Sequence, residues 1–191
     1  MSSFLVLPAV SALLRRTLWD AFAGDPVIQG ILPSESAIVF TNPTETARNP
    51  SNRLSVWLYQ ITENEFVRNQ PPSRGKGALN KPFSPPALNL YYLLTPFAGS
   101  SENELMLLGR AMQTMYDQPI LHLQQDAGEE INEELRIIHS HLSLEELTRI
   151  WEALREPYRL SAAYQVLVTH IGAERSSSRG ENTSSEENLN R

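Results

Sequence analysis

The stretch Leu88–Glu104, LNLYYLLTPFAGSSENE, constrains this chain more than any other. Leu88, Leu90, Tyr92 and Leu94 fall on one face of an extended segment, and Asn89, Tyr91, Leu93 and Thr95 on the other. Aromatic and aliphatic residues this dense predict a strand. The run turns at Pro96 and Gly99, and the spacing of Ser101 and Glu104 predicts a capping box that opens a helix. In many enzymes such a corner carries a nucleophile, a phosphate loop or a metal ligand. Here it carries Thr95, Pro96, Phe97, Ala98 and Gly99, so the strand must be explained without chemistry at its end.

The remaining elements follow from periodicity and punctuation. Pro8 suits the first position of a helix, and Val10, Leu13, Leu14, Leu18, Trp19 and Phe22 continue at helical spacing to a stop at Gly24. Asp25–Ser36 reads as a connection, Ala37–Phe40 as a short strand, and Thr41–Asn52, with Pro43 and Pro50, as a loop. In Arg53–Ile61, Leu54, Val56 and Leu58 oppose Trp57, Tyr59 and Ile61, as in a strand covered on both sides. Thr62–Pro86 is a long loop rich in proline, glycine and basic residues. The helix from Ser101 buries Leu105, Leu108, Met112 and Met115, with Leu107 and Ala111 beside them, and ends before Pro119.

Ile120–Gln125 reads as extended, Asp126–Glu134 as a solvated acidic run, and Leu135–Ser140 as a strand. Ser143 with Glu146 forms a second capping box, stapled by Leu142 and Leu147, and that helix stops before Pro157. Arg159–Ile171 is the last strand. Beyond Gly172 the segment ERSSSRGENTSSEENLNR holds one large apolar residue, too little burial to offset its ordering entropy. The expectation is one α+β domain over residues 1–172, a mixed or antiparallel sheet packed by about three helices, with a disordered tail at 173–191.

Composition narrows the function. Of 191 residues 41% are hydrophobic and 20% charged, as in soluble globular proteins. A net charge of −6 argues against nucleic acid as the main partner. The lack of cysteine removes disulfides, thiol nucleophiles and thiolate metal sites, and suits a cytoplasmic setting. In MSSFLVLPAVSALLRR the arginines follow the apolar run, the reverse of a signal peptide, and the run is far below the roughly 20 residues a bilayer requires.

No GxSxG, GxxxxGK[ST], GxGxxG or HExxH is present, and no cofactor is expected. His139 and His141 share a strand face at a spacing that metal sites allow, yet the sequence supplies no third ligand; polar strand-end histidines, like His122 and His170, are the default. Glu129, Glu130, Glu133 and Glu134 read as a solvated surface. Trp19, Trp57 and Trp151 lie on apolar stripes and read as core. Arg68, Arg74, Lys76 and Lys81 make the long loop basic on an acidic protein, either a docking arm for an acidic surface or a solvated loop.

Three pieces of sequence resemble one family when taken in order. They are NRLSVWLYQITENEFVRNQPP, with Asn64, Arg68, Asn69 and Pro71; PPALNLYYLLTPFAGSSENELMLLGRAMQTMYDQPIL, with Thr95, Gly99, Glu104 and Gly109; and LSLEELTRIWEALREPYRLSAAYQVLV, with Trp151, Tyr158 and Arg159. The family is the cap, or tail-terminator, proteins of contractile injection systems, phage-tail-like particles of the antifeeding-prophage and virulence-cassette types. The resemblance implies a non-catalytic α/β subunit that forms a hexameric ring on the last layer of inner tube and sheath. It implies no cofactor, and partners that are copies of itself, the tube protein and the sheath protein, with membrane contact left open. Asn64, Arg68, Asn69, Pro71, Arg74, Lys76, Lys81, Tyr158 and Arg159 are the expected interface residues. Two rival readings stand beside it: an adaptor binding a membrane or peptide partner through the 63–86 loop, and a metal enzyme using His139 and His141.

Overall fold

The structure is a computed structural model that describes residues 6–64, 87–123 and 133–170. Its centre is a six-stranded mixed sheet in the order β1-β2-β3-β6-β5-β4, formed by β1 (Ile38–Val39), β2 (Leu54–Glu63), β3 (Leu88–Pro96), β4 (Ile120–Leu123), β5 (Glu133–Ser140) and β6 (Ala162–His170). The β1–β2 pair is parallel and every other pair antiparallel. The Leu88 strand therefore sits inside the sheet, between β2 and β6.

Register places the large side chains on one face. Leu94 opposes Val56 and Ala162, Tyr92 opposes Leu58 and Tyr164, and Leu90 opposes Ile61 and Val166. Ile137 and Leu135 continue the row opposite Val166 and Val168. Against this face packs α1 (Val6–Ala23), burying Val10, Leu14, Leu18 and Phe22, together with Leu107, Leu108, Ala111 and Met115 of α4 (Ser101–Asp117). Tyr92 is buried here and its hydroxyl hydrogen-bonds Ser11 Oγ of α1 at 3.0 Å. Burial pushes the Tyr92 pKa up, and the Ser11 bond partly opposes that shift.

The opposite face is covered in part by α5 (Leu144–Leu154), whose one buried residue is Trp151. Glu146 of α5 lies close enough to Tyr59 to help raise its pKa, behind the larger effects of burial and Tyr91. A bulge between Leu58 and Gln60 leaves Tyr59 without a partner residue on β3. It keeps Tyr59 beside Trp57 and Tyr91, at ring separations of 6.1 and 6.2 Å.

The structure corrects several expectations. Five α-helices occur among the described residues rather than about three, because α2 (Pro26–Ile31) and α3 (Pro43–Ala47) lie in segments read as connection and loop. In both, a proline stands at the start of the helix, where its missing N–H costs no hydrogen bond. Asp25 caps α2 through the N–H groups of Val27 and Ile28, and Asn42 caps α3 through that of Glu45. The last strand begins at Ala162, not Arg159, and β2 runs on to Glu63.

The N-cap of α4 is Ser100, whose hydroxyl accepts from the Asn103 N–H, rather than Ser101. Of the expected stripe, Leu107, Leu108, Ala111 and Met115 are buried, whereas Leu105 and Met112 are 58% and 37% exposed. Gly99 sets this entry, at φ 68°, in the left-handed region. A Cβ there meets nothing within 4 Å, so only backbone strain opposes substitution. Gly99→Ala should cost about 1–2 kcal/mol, read by urea denaturation.

Candidate functional site

Pieces of sequence far apart in the chain converge on a cleft of about 470 Å³ at one end of the sheet. Its walls are the end of α3, the Asn49–Arg53 approach to β2, the Phe97–Ser101 corner between β3 and α4, and Arg159 ahead of β6. The Arg53 N–H donates to Ala37 O, and Arg53 O accepts from the Phe97 N–H at 2.8 Å, which ties the two walls together.

Arg159 crosses the opening. Its Nη2 donates to Glu104 Oε1 at 2.6 Å, and its guanidinium carbon lies 4.7 Å from the centre of the Phe97 ring. Both side chains of the ion pair stay partly exposed, at 41% and 26%. Such a pair orients a guanidinium more than it stabilises the fold. The aromatic face attracts the guanidinium, and a single carboxylate leaves further N–H groups of the fork for another acceptor. Arg53 forms no ion pair among the described residues. Tyr158, next to Arg159, is 44% exposed and lies edge-on to Trp151 at 6.3 Å.

A second, more apolar groove of about 790 Å³ runs between α4 and β5, lined by Met112, Tyr116, Ile137, His139 and Tyr164. His139 meets His141 edge-on at 4.8 Å and Tyr164 at 5.2 Å. No group of three or more His, Cys, Asp or Glu among the described residues is placed to hold a metal. Desolvation, then the neighbouring His141, holds the His139 pKa below its ordinary value of 6.5. The folded state therefore prefers neutral His139. The associated stability is present above pH 6.5 and is lost as pH falls through the depressed pKa. An NMR titration should place the His139 midpoint below that of a free histidine, and His141→Gln should move it upward.

A family model described as the Pvc16 N-terminal domain matches residues 9–185. The chain belongs to that family. The match bears out the family read from the three sequence pieces. A solved structure described as the sheath/tube terminator of an extracellular contractile injection system, PVC, in the extended state, is also similar. Identity is 18% and the TM-score 0.49, over 87% of this chain and 61% of that one. The chain thus spans about three-fifths of that terminator's length. No curated protein matches. Among the described residues no helix is long and apolar enough to cross a membrane.

Of the nine residues expected at an interface, Tyr158 and Arg159 lie at or beside the cleft. Asn64 is buried, and its N–H donates to Ala87 O beside the end of β2. Arg68, Asn69, Pro71, Arg74, Lys76 and Lys81 lie outside the described residues. Sequence reasoning missed Arg53 and Phe97, and it gave Glu104 to a helix cap. Glu104 and Arg159 stand in two different matching pieces, 55 positions apart, and no local spacing joins them.

Proposed function

We propose that this chain is the structural terminator of a contractile injection system. Copies close into a hexameric ring on the last layer of inner tube and sheath, end polymerisation and stabilise the distal end. The family match over residues 9–185 carries this reading. A twisted sheet with helices on one face and a helix on part of the other supports it physically, since a stiff body is what fixes the rotation between neighbours. The partners are other copies, the tube protein and the sheath protein, and the role is non-catalytic. The basic 63–86 arm, with Arg68, Arg74, Lys76 and Lys81, docks onto one of them. Assembly takes place in the cytoplasm, before any release of the particle.

The test is electron microscopy of particles from cells lacking this gene. The expected result is tubes and sheaths of widely scattered length or with unravelled distal ends, restored by the gene in trans. Particles of normal length and integrity would end the proposal.

A further inference from the structure

The Arg53–Arg159 cleft is unlike the rest of the protein. The chain carries a net charge of −6, yet this cleft holds two guanidinium groups and one carboxylate, Glu104. Glu104 already displays how a carboxylate sits here, at 2.6 Å from an Arg159 whose guanidinium carbon lies over the Phe97 ring. Arg53 has no carboxylate of its own among the described residues. The cleft thus fits an acidic segment, because guanidinium groups take carboxylates through short, charge-assisted and often bidentate hydrogen bonds.

The chain contains one concentrated acidic run, Asp126–Glu134. We propose that Asp126, Glu129 and Glu130 of a neighbouring copy dock in this cleft. Placement excludes the copy's own run. The cleft lies where β6 begins, at Ala162, whereas the run leaves the sheet where β6 ends, since Leu123 pairs with Glu133 and Glu133 with His170. The nine residues of β6 separate the two ends by about 26 Å, at about 3.3 Å per residue. Residues 124–132 must leave and return to that paired base, so even fully extended they reach about 17 Å from it. Only another molecule's run reaches the cleft. The contact joins two different surfaces of identical subunits, the kind that closes a ring when the rotation per subunit divides a full turn. It rests on the self-association part of the terminator reading.

A capped peptide of residues 124–132, QQDAGEEIN, titrated into the full chain at about 50 mM salt tests it, with the arginine side-chain N–H resonances as readout. Saturable binding is expected, weakened at least about tenfold by Asp→Asn and Glu→Gln changes in the peptide, and equally by Arg53→Gln in the protein. Glu104→Gln should tighten binding, because the internal competitor for Arg159 is gone; a purely structural ion pair predicts no such gain. In the full chain, Arg53→Glu should reduce self-association, and mixing it with a Glu129→Arg/Glu130→Arg chain should restore it. Unchanged melting temperatures identify the variants as folded. Equal binding of acidic and neutral peptides, no binding at all, or failure of the charge swap to restore association would overturn the proposal. Self-association that survives Arg53→Glu would reject this contact while leaving the terminator reading to the particle-length experiment.

Discussion

Trp151→Ala should lower the unfolding free energy by about 3–5 kcal/mol, the range for emptying a buried aromatic site. The expectation rests on the design of α5. Its N-terminus is secured by Ser143, whose hydroxyl accepts from the Glu146 N–H while Glu146 returns to the Ser143 N–H at 2.8 Å. Those bonds hold the helix together, not to the sheet. Leu144 is 67% exposed, and Trp151, at 1%, is the only fully buried residue the helix contributes. Its indole Nε1 is buried without a hydrogen-bond partner. Trp151→Phe should therefore cost much less than alanine, because it keeps ring area and removes an unpaired donor. Urea denaturation followed by circular dichroism separates the two, and hydrogen exchange across residues 144–154 should accelerate in the alanine variant.

Phe22→Ala should cost a similar amount, about 3–5 kcal/mol, in a different layer of the fold. Phe22 is fully buried in the larger core, between α1 and the sheet face that carries Leu90, Tyr92 and Leu94. Trp151 belongs to the other side. Substitutions without shared neighbours add, so the double variant should match the sum of the singles within about 0.5 kcal/mol. A clear shortfall would mean that the two layers unfold separately or communicate through β3.

What was readable depended on where each signal resides. The α1 stripe and the β3 alternation are repeated signals and both elements formed on them, although α1 begins at Val6 rather than at Pro8. Single-residue signals were less secure. Pro26 and Pro43 promote a helix at its first position and break one elsewhere, so the neighbouring caps, Asp25 and Asn42, decide. The start of α4 was misplaced by one residue because Ser100 and Ser101 are equally good caps by type. Gly99, by adopting φ 68°, selects between them. With the cap moved, the Glu104 carboxylate is released from the helix terminus and is available to Arg159. The cleft could not be read locally, because Arg53, Phe97, Glu104 and Arg159 come from three separate stretches that only the sheet register brings together.

The place of β3 in the strand order also governs how the chain is made. Its two hydrogen-bonding partners are β2, just upstream, and β6, which ends 74 positions after Pro96. At about 5–20 residues per second, a ribosome needs about 4–15 s to translate that interval. During that delay Leu90, Leu93 and Leu94 belong to a hairpin with one unsatisfied side, and nascent chains on neighbouring ribosomes of one message carry the same exposed ladder. Slowing translation downstream of residue 96 should therefore reduce soluble yield, with no change in the protein's final stability.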